Sequence, residues 1–311
     1  MQYLYLLAGF IILLLSGEFL VKGGVALARK FRISTRVVGV TIVSFGTSAP
    51  ELVVSVNAAL TGHPAISIGN VIGSNISNIA LVLGLVAIFL PVPVRRKSVR
   101  IDWPIMMVAT ILFYLFILNG NLQFFEGLTF IVLLMGFVSW SIYNSRRENY
   151  IVGKRAEKPR YPFPVAIIMI VLSSAGLMLG ADWLVKGASG VARAFGVSEH
   201  AISVSVIALG TSIPELATSI VAAIRKQMDI SIGNIIGSNL FNLWGILGIT
   251  SMVRTIPVES SVIQFDVFWL LGISLLLFVF ILPFKGSRIT RFEGVVFIVI
   301  YAVYIYLVFR K

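Results

Sequence analysis

Long apolar stretches alternate with short polar or basic connections along the whole chain. A helix rises about 1.5 Å per residue, so roughly 20 apolar residues cross the hydrocarbon core of a bilayer. On this pattern we predict ten membrane spans, at residues 3–23, 37–60, 66–90, 101–119, 124–143, 163–187, 201–224, 230–252, 263–283 and 291–310. The longest polar gap, 144–162, is too short for a folded soluble domain and is interpreted as a connector.

The two halves of this pattern repeat each other. Residues 46–55 read GTSAPELVVS and residues 210–219 read GTSIPELATS, at an offset of 164 residues. The same offset superposes SIGN at 67 on SIGN at 231, and GSN at 73 on GSN at 237. A unit of five spans is odd, so the second copy enters the membrane from the opposite side. The predicted fold is therefore an all-α polytopic membrane protein with two inverted five-helix repeats, 1–143 and 163–311.

Composition and charge agree with a membrane protein. The chain is 58% hydrophobic and 12% charged, whereas soluble domains carry about 25% charged residues. Its net charge of +12 comes from short loops, and with the N-terminus outside, 19 Lys and Arg lie on the cytoplasmic side and 4 outside. The positive-inside rule thus predicts a cell-membrane protein with both termini extracellular and no nucleic-acid partner. Since there are no cysteines, disulfides and thiolate metal sites are excluded.

One glutamate lies in the middle of the second span and one in the middle of the seventh. An ionisable side chain at that depth usually marks an ion or substrate path. Pro50, directly before Glu51, cannot donate to the carbonyl four residues back, so the helix should break beside Thr47 and Ser48. Carbonyl, hydroxyl and carboxylate oxygens at such a break are hard ligands suited to Na⁺ or Ca²⁺. The second copy supplies Thr211, Ser212, Pro214 and Glu215.

Polar side chains follow one face of the third and eighth spans. Their spacing of four residues places them on one side of a helix. The two stripes are Asn70, Ser74 and Asn78, and Asn234, Ser238 and Asn242. We interpret each stripe as a source of neutral cation ligands; the alternative for any single member is a hydrogen bond between helices.

Other charged residues in or near the spans receive structural interpretations. Glu18 with Lys22, and Asp182 with Lys186, have the i,i+4 spacing of local ion pairs. Two aspartates at predicted helix starts are interpreted as caps or helix-dipole partners rather than ligands. These are Asp102 and Asp266.

The paired motifs GTSAPEL and GTSIPEL, each followed by SIGN, GSN and a further asparagine, resemble the two alpha repeats of the cation/calcium antiporter superfamily. Within that superfamily the chain resembles the prokaryotic sodium/calcium exchanger branch, over all ten predicted spans. Proton/calcium exchangers of the superfamily usually carry Gly-Asn-x-x-Glu at the glutamate, a pattern that this chain lacks there.

The resemblance implies how the site is divided. Glu51 and Glu215 would bind Ca²⁺ together with Thr47 and Thr211, and the glutamates would also share the sodium sites. Sodium coordination would be completed by Ser48, Ser74, Ser212, Ser238 and the main-chain carbonyls of Ser44 and Ala208, with Asn78 and Asn242 beside the central position. Several relatives, the potassium-dependent ones among them, carry Asp in place of Asn242, so the sequence argues against K⁺ dependence.

We therefore predict a secondary antiporter that exchanges Na⁺ for Ca²⁺ by alternating access and exports Ca²⁺. The transported ions and the lipid bilayer are the expected partners, with no organic cofactor and no obligatory protein partner. Two alternatives stay open: H⁺/Ca²⁺ exchange, since buried glutamates also titrate, and a passive cation channel. An enzyme is not indicated, because the sequence shows no nucleophile–base pair and no metal cluster.

Overall fold

The structure, a computed structural model, describes residues 1–151, 161–195, 210–282 and 288–310, and these are mostly helical. The helices are α1 (Gln2–Phe31), α2 (Thr35–Thr47), α3 (Ala49–Leu60), α4 (Ala65–Phe89), α5 (Ser98–Ile117), α6 (Phe124–Ile151), α7 (Phe163–Ala194), α8 (Ile213–Ile224), α9 (Met228–Val253), α10 (Val262–Ile281) and α11 (Arg291–Arg310). Two-residue strands connect some of them: β1 (Val92–Pro93), β2 (Asn121–Leu122), β3 (Ile256–Pro257) and β4 (Arg288–Ile289).

Within the described residues, eight helices are long and apolar enough to cross a membrane, and the bent pair α2–α3 makes a ninth span if it is counted as one. The predicted span 201–224 is represented by the shorter apolar helix α8, since residues 201–209 lie outside the described ranges. Helix α6 continues through Ile151, so the expected connector begins as helix rather than as loop. Residues 152–160 of that connector also lie outside the description.

Burial separates two central helices from the rest. The apolar window of α9 is 94% buried inside the protein and that of α4 is 78% buried, whereas the other six long spans are 22–44% buried. These two helices carry the predicted asparagine and serine stripes. Polar groups at membrane depth are costly when they face lipid, so the stripes are compatible with the bilayer because their helices are enclosed by protein.

The two longest helices, α1 and α7, cross in direct backbone contact. A Cβ at Gly9 would lie 2.6 Å from the main-chain nitrogen of Leu184 and 2.8 Å from the carbonyl oxygen of Gly180. Real Cβ atoms do not approach other atoms so closely, so only glycine fits there. Small residues let membrane helices pack at such short distance. Helix α1 also packs against α2 and α8.

Equivalent positions of the two halves make equivalent contacts. Strand β1 pairs antiparallel with β4, and β3, which lies 164 residues after β1, pairs antiparallel with β2. The Ser67 hydroxyl donates to the carbonyl of Ser55 at 2.9 Å, and the Ser231 hydroxyl donates to the carbonyl of Ser219 at 3.0 Å. The sequence repeat is thus accompanied by a repeated pattern of hydrogen bonds.

Two aspartates were expected to be helix caps or helix-dipole partners; the capping alternative is wrong, and the helix-dipole alternative stays a prediction. Neither Asp102 nor Asp266 makes a side-chain capping bond. Asp102 is buried and pairs with the buried Arg36 guanidinium, a residue 66 positions earlier. Asp266 instead accepts a hydrogen bond from the Tyr304 hydroxyl at 3.0 Å. Each carboxylate therefore contacts a residue that is distant in the sequence instead of capping its helix.

The two local ion pairs predicted from i,i+4 spacing are present. Lys22 lies 2.7 Å from Glu18, and Lys186 lies 2.6 Å from Asp182. Glu18 has a second partner that spacing did not indicate, the guanidinium of Arg225 just after α8. This contact ties α1 to the end of the helix that carries Glu215.

Candidate cation-binding site

Helix breaks place both glutamates at helix N-termini. Between α2 and α3 the chain bends by 48°, and Ser48, at the break, leaves helical geometry with φ −89° and ψ 8°. Pro50 occupies the first turn of α3, where its missing N–H costs nothing. Glu51 lies in that same first turn, and Glu215 lies in the first turn of α8. The positive end of each helix dipole favours a carboxylate there.

The two carboxylates are fully buried and poorly supplied with donors. Glu51 and Glu215 each have 0% of their surface exposed. Neither carboxylate oxygen of Glu51 has a hydrogen-bond partner among the described residues, and the same holds for Oε2 of Glu215. Oε1 of Glu215 accepts a bond from the Ser48 hydroxyl at 2.8 Å. Buried anionic oxygens without donors are costly, and a bound cation would offset that cost.

Each motif meets the stripe of the other half. The Thr47 hydroxyl lies 3.0 Å from Oδ1 of Asn234 and 3.3 Å from the Ser238 hydroxyl. The stripe of the first half likewise meets the motif of the second half, since the Ser74 hydroxyl lies 3.4 Å from the Thr211 hydroxyl. The glutamate breaks and the stripes therefore assemble crosswise into one cluster, the polar cage. It consists of Thr47, Ser48, Glu51, Ser74, Thr211, Ser212, Glu215 and Ser238.

The first asparagine of each stripe has a structural contact with its own half. Asn70 donates to the Ser55 hydroxyl at 3.0 Å, and Asn234 donates to the Ser219 hydroxyl at 3.1 Å. The alternative interpretation, hydrogen bonding between helices, describes these two amides. They hold α3 against α4 and α8 against α9, and so keep each glutamate beside its stripe.

The last asparagine of each stripe lies in an irregular segment. Asn78 lies in a π-helical stretch, Ser77–Leu83, and Asn242 lies in another, Phe241–Ile246. Such stretches widen the helix and occur often at functional sites. Oδ1 of each of these asparagines is buried with no hydrogen-bond partner in the described part of the chain. Together with the glutamates, they leave five acceptor oxygens available to a cation.

The remaining predicted ligands lie close to the break where they are described. The carbonyl oxygen of Ser44 lies 3.2 Å from the Thr47 hydroxyl and accepts its hydrogen bond. Ser212 is buried directly before α8. Ala208 lies outside the described residues.

Sequence reasoning missed two residues beside the cage. Asn75 and Asn239 were not among the predicted ligands, yet they contact Asn242 and Asn78 through their side chains. The signal was present in the sequence, because GSN recurs at the same offset of 164 residues as the glutamates.

Comparison with known proteins agrees with this geometry. The model of the family described as sodium/calcium exchanger protein matches residues 1–143 and 165–310. The chain belongs to this family. It is accordingly a multi-pass membrane transporter of the cation/calcium antiporter superfamily, and such a protein exchanges cations rather than catalysing a reaction.

Relatives match along nearly the whole chain. A membrane protein of Methanocaldococcus jannaschii is 33% identical over 96% of this chain and 95% of its own length. The sodium/calcium exchanger MaX1 of Methanosarcina acetivorans is 29% identical over 99% of this chain and 98% of its own. Among solved structures, the sodium-calcium exchanger NCX_Mj soaked with zero Na⁺ and Ca²⁺ matches with a TM-score of 0.82 and 31% identity, covering 97% of both chains.

Proposed function

We propose that this protein is a Na⁺/Ca²⁺ antiporter that works by alternating access at the polar cage. The observation that carries the proposal is the pair of fully buried glutamates with three carboxylate oxygens that have no partner among the described residues. The Ser48 hydroxyl donates to Glu215, and further hydroxyl oxygens of the polar cage are supplied by Thr47, which contacts Ser238, and by Ser74, which contacts Thr211. Carboxylate, hydroxyl and amide oxygens are hard ligands, and Na⁺ and Ca²⁺ are hard cations.

Coupling follows from the charge of this site. Two carboxylates neutralise one Ca²⁺, or they are shared among several Na⁺ ions on the neighbouring hydroxyls. Because both loads need Glu51 and Glu215, occupation by one excludes the other, and this competition links the two fluxes. The proposed ligands are the side chains of Thr47, Ser48, Glu51, Ser74, Asn78, Thr211, Ser212, Glu215, Ser238 and Asn242, with the main-chain carbonyls of Ser44 and Ala208.

The proposed architecture has ten spans in two inverted repeats, residues 1–143 and 163–311, joined by a cytoplasmic connector at 144–162. The seventh span in chain order would be 201–224, of which α8 is the described part. The repeated hydrogen bonds and the two strand pairs support this arrangement. The distribution of Lys and Arg supports extracellular termini in the cell membrane. Transport would export Ca²⁺. It would not require K⁺, because position 242 is an asparagine.

H⁺/Ca²⁺ exchange is the second candidate. It is favoured by one observation, the absence of any hydrogen-bond donor to the Glu51 carboxylate among the described residues. A buried carboxylate without donors can take up a proton when the cation leaves.

One transport experiment separates the candidates. The purified protein is reconstituted into proteoliposomes, and Ca²⁺ uptake is followed with an outward Na⁺ gradient, an outward H⁺ gradient, or no gradient. We expect uptake with the Na⁺ gradient alone, at the same rate with and without K⁺. Uptake driven only by the H⁺ gradient would replace this proposal with H⁺/Ca²⁺ exchange, and gradient-independent flux would indicate a channel.

A further inference from the structure

Four buried asparagines form one hydrogen-bonded network between α4 and α9. Two are Asn78 and Asn242, here called the cage asparagines because they come four residues after the cage residues Ser74 and Ser238; their Oδ1 atoms have no partner among the described residues. The other two are the bridging asparagines, Asn75 and Asn239, which are 0% and 1% exposed. Every contact within the network joins one half of the chain to the other.

The bridging asparagines have a fixed amide orientation. Nδ2 of Asn75 donates to the main-chain carbonyl of Asn239 at 3.3 Å, and Nδ2 of Asn239 donates to the main-chain carbonyl of Asn75 at 3.4 Å. A main-chain carbonyl can only accept, so an amide that faces it must present its N–H group. The Oδ1 atom of each bridging asparagine must therefore point the other way.

That orientation is passed to the cage asparagines. Oδ1 of Asn75 accepts from Nδ2 of Asn242 at 2.9 Å, and Oδ1 of Asn239 accepts from Nδ2 of Asn78 at 3.2 Å. A flipped cage amide would bring two oxygens face to face, which is repulsive. The N–H group is thus held toward the bridging residue, and the cage oxygen is left for another partner.

The free oxygens follow the cage along the same helix faces. Asn78 comes four residues after Ser74, which contacts Thr211, and Asn242 comes four residues after Ser238, which contacts Thr47. An oxygen at these positions attracts a cation, whereas an amide N–H group would repel it. The amide orientation therefore decides whether these two residues help or hinder binding.

We propose that Asn75 and Asn239 are positioning residues that orient the cage amides, so that oxygen rather than N–H faces the transported cation. The inference deepens the proposed ion exchange and rests on it. The bridging residues themselves do not touch the ion. Two main-chain carbonyls set the orientation of the Asn75 and Asn239 amides, and these amides in turn set the orientation of the Asn242 and Asn78 amides.

A double-mutant cycle tests this role. Asn75→Leu removes the acceptor while keeping the number and branching of the side-chain heavy atoms, and Asn242→Asp supplies a ligand with two oxygens, which has no amide to orient. Apparent Ca²⁺ affinity is measured from Na⁺-driven uptake and, independently, from the Ca²⁺-induced thermal shift of the detergent-purified protein. We expect Asn75→Leu alone to weaken affinity about threefold to tenfold, the size expected for losing one amide hydrogen bond. In the Asn242→Asp background it should cause no loss.

Two results would overturn the inference. One is an equal loss of Ca²⁺ affinity in both backgrounds, which a general packing defect would cause, and the other is no loss in the original background. If Asn75→Leu does not purify as a folded protein, Asn239→Leu with Asn78→Asp provides the same cycle in the other half.

The outcome is separable from that of the proposed function. If the original protein moves no Ca²⁺ against a Na⁺ gradient, the proposed exchange is wrong, while the thermal-shift arm still tests amide orientation. If exchange is normal and Asn75→Leu has no effect on either readout, only the positioning role fails.

Discussion

Glu51→Gln is the substitution that tests the cage most directly. The glutamate is fully buried, and its side-chain oxygens accept no hydrogen bond in the described part of the chain, so an isosteric amide removes no known protein contact. Glu215→Gln is less clean, since it also alters the bond from Ser48. The Glu51 variant therefore changes charge at the site while the fold should persist.

The expected loss differs between the two ions. At an effective dielectric constant of about 20, unit charges about 4 Å apart interact by about 4 kcal/mol. Removing one carboxylate then costs Ca²⁺ about 8 kcal/mol and a single Na⁺ about 4 kcal/mol on the same scale. The difference of about 4 kcal/mol lowers the preference for Ca²⁺ over Na⁺ by about 1,000-fold. If hydration of the variant site offsets half of this free-energy difference, the preference for Ca²⁺ over Na⁺ still decreases by about 30-fold.

The assay combines transport with binding. Na⁺-driven Ca²⁺ uptake into proteoliposomes should be abolished in Glu51→Gln. The Ca²⁺-induced thermal shift of the purified protein should vanish, while a shift at high Na⁺ is reduced but measurable. Glu259→Gln is the matched control, because that carboxylate is exposed on the connection before α10 and should behave as the original protein. Normal Ca²⁺ uptake by the Glu51 variant, or equal weakening of both ions, would refute the reasoning.

Two predictions concern stability. Arg36→Leu alone should destabilise the protein by about 3–5 kcal/mol, since it leaves the buried Asp102 carboxylate unpaired, and adding Asp102→Leu should recover part of that loss. Thermal unfolding in detergent measures both, and an additive loss in the double variant would contradict the pairing. Gly237→Ala should lower the unfolding temperature and the folded yield, because its Cβ would lie 2.5 Å from the Val40 carbonyl oxygen. Gly136→Ala, where a Cβ meets nothing within 4 Å among the described residues, is its control; equal behaviour of both variants would contradict the tight contact.

Eight or nine of the membrane spans among the described residues, and the two glutamates placed at helix breaks, could be predicted from the sequence by itself. The length of an apolar stretch indicates a membrane span, because a segment in the bilayer must form its backbone hydrogen bonds internally and therefore crosses as a helix. The repeat offset of 164 residues made Glu51 and Glu215 equivalent, and Pro50 marked the break that the structure has at Ser48. These features are local, so they depend on a few neighbouring residues and can be recognised without knowing how the helices pack.

Contacts between distant segments required the tertiary structure. The sequence could not indicate that Thr47 meets the stripe of the other half, or that Asp102 pairs with Arg36 rather than capping its helix. Both contacts depend on how the helices pack against one another, and this packing cannot be recognised from a local sequence pattern.

Amide orientation is the finest of these features. Asn78 and Asn242 could be recognised as polar stripe members, but an asparagine carries both an acceptor and a donor. Which of the two is left free depends on Asn75 and Asn239 reaching across from the other helix. The sequence by itself therefore determined where the candidate ligands lie along the chain, and only the packing of α4 against α9 decided which of their atoms is available to a cation.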